Sequence, residues 1–196
     1  MSETDQDQFR AWYKEQIENF ERVAPHYEEL AKVLDAILTA LTERYAPLAI
    51  VQTRPKSLSS FAEKIIRKRA EVSDPINEFT DLCGGRVITH TQTEVTSICN
   101  YIEQHFDIDW DNSVNIAQRL KATEFGYRSV HYIVSLRPGS LTVGSISIEV
   151  PETVARLKAE IQVRTLLEHA WADFSHDKSY KSSFAFPRQW QANWRG

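Results

Sequence analysis

Glu160, Gln162 and Arg164 stand two apart in the stretch Lys158-Ala159-Glu160-Ile161-Gln162-Val163-Arg164-Thr165. Polar and apolar residues alternate there with the period of a strand. The three polar side chains therefore share one face, and Ile161 and Val163 share the other. A carboxylate, an amide and a guanidinium on one face can hold a metal ion, orient a polar substrate and neutralise an anion. A solvated sheet face with mixed charges has the same pattern, so the octet needs partners elsewhere in the chain.

Three groups of residues offer themselves. In Arg54-x-Lys56-x-x-x-Ser60-x-x-x-Lys64, Ser60 and Lys64 lie one helical turn apart, and Arg54 and Lys56 precede the helix start. Cations beside the free N–H groups of a helix N-terminus bind phosphates; a solvated basic helix is the alternative. Arg67, Lys68 and Arg69 read as such a solvated face. In Asp81-x-x-Gly84-x-Arg86 a carboxylate precedes a glycine turn and a strand that opens with arginine. That can place a magnesium ligand and a cation on one sheet edge, or it can be an Asp cap and a structural turn. In Gly126-Tyr127-x-x-x-His131, Tyr127, Ser129 and His131 share a strand face. Tyr127 can stack on a base and His131 can meet a phosphate; otherwise Tyr127 belongs to the core.

Charge distribution favours a compact polyanion over duplex nucleic acid. Net charge is -4, with eight acids and three bases in residues 1–30. Residues 54–71, by contrast, hold six bases and two acids. With 42% apolar and 26% charged residues the 196-residue chain fits one soluble domain with a sizeable core. No apolar run approaches the roughly 18–20 residues of a transmembrane helix, so no membrane partner is expected. The acidic, polar start predicts neither signal nor transit peptide, which points to the cytoplasm. Cys83 and Cys99, 16 residues apart, read as buried thiols rather than a disulfide or zinc site. GxxxxGK[ST], GxGxxG and GxSxG are all missing, which excludes P-loop chemistry and argues against a dinucleotide fold or a serine hydrolase.

The elements that must position these residues follow from periodicity. Phe9, Trp12, Tyr13, Ile17 and Phe20 recur at helical spacing, and Pro25 marks a break or the first turn of a second helix. That second helix carries the stripe Tyr27, Leu30, Val33, Leu34, Ile37, Leu38, Leu41. Pro47 to Thr53 reads as extended. Ser57 to Glu71 reads as a helix capped by Ser57 or Ser59, with Phe61, Ile65 and Ile66 buried. Asp74-Pro75 ends that unit, and Phe79 to Cys83 looks like a helical turn. Gly84-Gly85 leads into the strand Arg86 to Thr89, and Val95, Ile98, Cys99, Ile102 and Phe106 mark a helix. A strand is expected within Ile108 to Ile116, a loop over Gln118 to Phe125 and a strand over Tyr127 to Leu136. A turn at Pro138-Gly139 follows, then a short strand or loop edge over Ser145 to Val150, and finally a helix after the octet through His176. The class is α+β or α/β around a mixed sheet flanked by helices.

Taken in order, RxKxxxSxxxK, DxxGxR, GYxxxH and ExQxRT resemble the synthetase domain of the RelA/SpoT family of alarmone synthetases, over roughly residues 45–181. The resemblance includes Trp171, His176, Tyr180 and Lys181. It implies an α+β, nucleotidyltransferase-like synthetase fold with N-terminal helices, over residues 46–181. Residues 1–45 form a helical segment packed on that core, and residues 182–196 an aromatic tail with Phe184, Phe186, Trp190 and Trp194. It implies transfer of the β,γ-pyrophosphate of ATP to the 3′-hydroxyl of GDP or GTP. By the same resemblance Arg54 and Arg86 sandwich the adenine, and Lys56, Ser60 and Lys64 hold the phosphates. Asp81 and Glu160 bind Mg2+, and Glu160 activates the hydroxyl. Tyr127, His131 and Gln162 match acceptor-side residues.

Two positions depart from the family pattern. The family's lysine stands four residues before the acceptor tyrosine, whereas Lys121 stands six before Tyr127. His169 stands where many small synthetases carry an asparagine that reads guanine. The run Glu160 to Ala172 also looks like the toxic small alarmone synthetase branch. Some of its members pyrophosphorylate the tRNA 3′ end, others make adenosine alarmones, and an antitoxin usually accompanies them. A homo-oligomer and a non-catalytic nucleotide-binding module are the remaining expectations. His176-Asp177 resembles the His-Asp pair of the family's hydrolase domain, a separate helical bundle for which the chain has no room. Synthesis without hydrolysis is expected.

Overall fold

The computed structural model describes the backbone of residues 3–115 and 129–181, and the side chains of residues 6–114 and 129–174. Tyr127, Lys121 and the 182–196 tail lie outside these residues, as do the side chains of His176, Asp177, Tyr180 and Lys181.

The first element is one helix, α1 (Glu3–Tyr45), which runs through Pro25 without the expected break. Proline removes a single N–H, and its exposed position here leaves the ring free of tertiary clashes. The apolar stripe continues on both sides: Phe20, Tyr27, Leu30, Leu34, Ile37, Leu38 and Leu41 are all buried. Tertiary packing along this stripe holds the helix where local propensity would interrupt it. Pro25→Ala restores the missing donor and should stabilise the protein by about 1–2 kcal/mol, seen as a Tm rise in thermal unfolding.

Against α1 lies a mixed sheet of β1 (Ile50–Pro55), β2 (Cys83–Thr89), β3 (Asp107–Ile108), β4 (Val114–Asn115), β5 (Val130–Ser135) and β8 (Ala159–Thr165). The order is β1-β2-β8-β5-β3, with β4 also on β5. Among the described residues only β2 and β8 pair in parallel; the other pairs are antiparallel. β6 (Gly139–Val143) and β7 (Ile146–Val150) form a separate hairpin packed on α1. Among the described residues no helix is long and apolar enough to cross a membrane.

One sheet face is closed by α1 and α4 (Gln92–His105). Thr91 and Glu94 form a capping box that starts α4, and its stripe Val95, Ile98, Cys99, Ile102 is buried as the spacing predicts. Cys83 and Cys99 are free and buried, and burial pushes the thiols up to about 12 and about 11 respectively. At Gly85 an added Cβ would sit 2.9 Å from Leu38 Cδ1 and 3.1 Å from Leu34 Cδ2, so α1 approaches the strand where only glycine fits.

Several local expectations change. Gly84 and Gly85 lie inside β2 and form no turn. Asp74 caps a short helix, α3 (Pro75–Glu78), and Phe79 is already extended. Pro at the first helical turn starts an element here, where the sequence suggested an end. Where one strand was expected, β3 and β4 are separated by a turn, because Asp109 caps Asn112 through both N–H and amide; Ile116 lies outside the described residues. Gly139 begins β6, and the hairpin turns at Gly144. Ile66 is 50% exposed, whereas Phe61 and Ile65 are buried.

Candidate active site

Opposite α1 the sheet carries its polar face. Register aligns Arg54 with Gly84 and Gly84 with Glu160; a neighbouring row aligns Gln52, Arg86, Gln162 and His131. Two rows of side chains from four strands thus face one side. Ile161 and Val163 point the other way and are fully buried, as the alternation requires.

The junction between β1 and the helix after it supplies the cations. β1 is an edge strand, which tolerates Pro55. Lys56 N–H donates to the Leu82 carbonyl (2.8 Å) and fixes the exit of the chain. Ser57 then caps α2 (Leu58–Lys68), its Oγ accepting from Ser60 N–H at 3.2 Å. Burial of Phe61 and Ile65 turns Ser60 and Lys64 towards the sheet. Lys68 pairs with Glu71, and Arg69 lies 5.2 Å over the Phe9 ring. The latter gives the basic face one packed member.

Asp81 sits on the approach to β2 rather than on a strand. Its two oxygens take separate lysines: Lys56 Nζ on Oδ2 at 2.9 Å and Lys64 Nζ on Oδ1 at 2.7 Å. Burial pushes its carboxyl up, but the hydrogen bonds and charge of Lys64 and Lys56 outweigh that and hold it below the usual carboxylate range. Glu160 Oε1 is met by His131 Nδ1 at 3.3 Å and accepts from Gln162 Nε2 at 2.7 Å. His131 lowers the Glu160 carboxyl most; burial opposes it, and so does the negative charge of Asp81. Arg86 Nε reaches Gln162 Oε1 at 3.4 Å.

Between these groups lies a cavity of about 470 Å³. Arg54, Lys56, Ser60, Asp81, Arg86, Glu160 and Gln162, all candidates from the sequence, line it. Lys64 joins through Asp81, and His131 through Glu160. Gly84 forms its floor; an added Cβ would meet nothing closer than the Glu160 carbonyl at 3.9 Å and would project into the space.

His169 is not among the lining residues. It sits in the first turn of α5 (Leu166–Lys181), which follows β8 directly. Thr165 and Glu168 cap that start reciprocally, Thr165 N–H on Glu168 Oε2 at 2.7 Å and Glu168 N–H on Thr165 Oγ1 at 3.3 Å. Burial, then the cation Arg164, push the His169 ring down; Asp173, 3.5 Å from its Nε2, opposes them, and Arg86 adds to the lowering. Tyr127 and Lys121 fall outside the described residues.

Gln52, Thr53 and Ser57 also line the cavity and were not singled out as site residues. Gln52 was recoverable, since it stands two before Arg54 on the same strand face. Ser57 was visible only as a cap.

Among the described residues no three metal-ligating side chains converge. A divalent cation therefore has two protein ligands to draw on, Asp81 and Glu160. That donor set fits magnesium, which is held by one or two carboxylates together with substrate phosphates. The surrounding cations suit a triphosphate.

A family model for a region found in RelA / SpoT proteins matches residues 53–184. The GTP pyrophosphokinase YwaC of Bacillus subtilis (strain 168) is 28% identical over 171 residues, 83% of this chain and 76% of its own. GTP pyrophosphokinase YjbM of the same organism is 28% identical over 165 residues, 83% of this chain and 72% of its own. The crystal structure of small alarmone synthetase 1 from Bacillus subtilis bound to its product pppGpp superposes with a TM-score of 0.62. It is 23% identical and covers 86% of this chain and 84% of that one.

Proposed function

The chain belongs to the RelA/SpoT family, and on that premise we propose that it is a nucleotide 3′-pyrophosphokinase, transferring the β,γ-pyrophosphate of ATP to the 3′-hydroxyl of GDP or GTP in the cytoplasm. The two Bacillus subtilis relatives named GTP pyrophosphokinase support this reading. The observation that carries it is one cavity lined by the cations Arg54, Lys56 and Arg86, by Ser60, and by the carboxylates Asp81 and Glu160.

The acceptor 3′-oxygen attacks the β-phosphorus, the bond from that phosphorus to the α,β-bridging oxygen breaks, and AMP leaves. The products are AMP and pppGpp from GTP, or ppGpp from GDP. Such a transfer depends on positioning and on neutralising charge more than on covalent catalysis. Lys56 just before α2, Ser60 in its first turn and Lys64 one turn on hold the triphosphate. Arg54 and Arg86, one on each of the neighbouring strands β1 and β2, flank the adenine. Glu160 takes the proton of the 3′-hydroxyl; ionised at neutral pH, it is ready to accept it. Asp81 and Glu160 would hold Mg2+, which supplies charge neutralisation at the phosphates. His131 and Gln162 orient the Glu160 carboxylate from the acceptor side.

The test is chromatography of products from γ-labelled ATP with GDP, GTP, adenine nucleotides and deacylated tRNA as acceptors. Label on the guanosine acceptor with equimolar AMP is expected. Label only on tRNA or on an adenine nucleotide moves the acceptor, and nucleotide binding without AMP release leaves a binding module.

A further inference from the structure

The ligands that would meet a divalent cation are already engaged by the chain itself. Both Asp81 oxygens carry a lysine ammonium, at 2.9 and 2.7 Å, and the side chain is only 27% exposed. Lys56 and Lys64 are 15% and 19% exposed. Lys64 is further held 4.2 Å over the Phe79 ring. Glu160 Oε1 is shared between His131 and Gln162. Locally, one carboxylate faces two ammonium ions, so Asp81 with its lysines carries a net positive charge. A dication arriving alone meets repulsion, has to displace both lysines, and finds no third protein ligand among the described residues.

A nucleoside triphosphate meets the opposite situation. The same two lysines are the nearest partners for its phosphates, and charge-assisted bonds to a polyanion replace those to a single carboxylate. We propose that Lys56 and Lys64 guard Asp81, occupying both carboxylate oxygens until a triphosphate draws them away, so that the divalent cation enters with the nucleotide and not before it. The inference rests on the pyrophosphokinase reading for the identity of the nucleotide. It adds that cation and nucleotide are coupled through two named side chains, and by linkage the coupling is reciprocal: the cation tightens the nucleotide as much as the nucleotide tightens the cation. Lys56 and Lys64 thus have two states, one on Asp81 and one on phosphate. Arg54, by contrast, makes no ion pair with a carboxylate among the described residues; its backbone pairs with Gly84 on the bare floor.

The experiment measures Mn2+ binding by electron paramagnetic resonance to the whole chain. It is done alone and with an ATP analogue whose α,β-bridge is methylene, so that no transfer occurs. Wild type should bind Mn2+ weakly alone and about tenfold or more tightly with the analogue. Lys64→Met, and independently Lys56→Met, should tighten Mn2+ alone by about tenfold and shrink the coupling. Asp81→Asn in either background should abolish that gain. The paired lysine variants guard against misfolding of one, and circular dichroism reports the fold of each. Equal Mn2+ affinity with and without the analogue in wild type overturns the proposal. So does an unchanged Mn2+ affinity in both lysine variants. AMP release by the wild-type protein is assayed separately. Its absence with coupling intact removes only the reaction, and its presence without coupling removes only the guard.

Discussion

Glu160→Gln is expected to lower AMP release by about three orders of magnitude, with no comparable loss of affinity for the ATP analogue. The substitution is close to isosteric and keeps an oxygen where Gln162 Nε2 donates at 2.7 Å, so the strand and its neighbours have no reason to move. It removes a negative charge and a proton acceptor together. A positioned base contributes about 10²–10⁴ in rate, and loss of one of the two carboxylates proposed to hold the cation would add to that. In the proposed reading triphosphate binding rests on Lys56, Lys64 and Ser60, so it should survive the change. Single-turnover AMP release beside analogue titration separates the two effects. A variant that keeps activity within about tenfold of wild type would remove Glu160 from the chemistry.

The second large effect concerns stability at the contact of α1 with β2. Leu38→Ala empties a fully buried position and should cost about 2–5 kcal/mol. Gly85→Ala should cost about 1–3 kcal/mol, because its Cβ lands 2.9 Å from Leu38 Cδ1 and Leu34 is equally buried. The two changes should not add. With alanine at 38 the obstructing methyl is gone, and alanine at 85 fills part of the void and restricts the unfolded chain more than glycine does. A double-mutant cycle by urea unfolding should show favourable coupling of about 1 kcal/mol or more. Strict additivity would mean that helix and strand do not meet through these atoms. Gly85 stands between Gly84 and Arg86, so the single variant should also weaken the analogue, while the double variant should recover part of that affinity.

Much of the site was legible because strand period and helix period act locally. The alternation from Lys158 to Thr165 put Glu160 and Gln162 on one face, and the four-residue step from Ser60 to Lys64 put both on one side of α2. The same rule, applied once more, reaches Gln52. What the sequence hid depends on packing at a distance. Nothing near Pro25 reveals that a continuous apolar surface will carry α1 through it. Gly84-Gly85 has the composition of a turn, and only the approach of Leu34 and Leu38 to Gly85, with the need for a bare floor at Gly84, makes it strand. Asp81 offers no hint that its partners in the free protein are Lys56 and Lys64, 25 and 17 residues away. The reading of His169 as an acceptor contact is a proposal; the structure places its Nε2 3.5 Å from Asp173 and the ring outside the cavity lining.

The central position of β8 has a consequence for the life of the chain on the ribosome. This strand, the last of the sheet to be synthesised, fits between β2 and β5. Until it emerges, those two strands expose unpaired edges, and the leucine stripe of α1 has an incomplete surface to cover. Its arrival closes the sheet and delivers Glu160 beside Gly84, 76 residues earlier in the chain. A nascent chain therefore has no half-active stage. Fragments that stop before residue 159 keep both lysines and Asp81, lack the second carboxylate, and present sticky strands to the quality-control machinery. Closure of the sheet and delivery of the second carboxylate are one event.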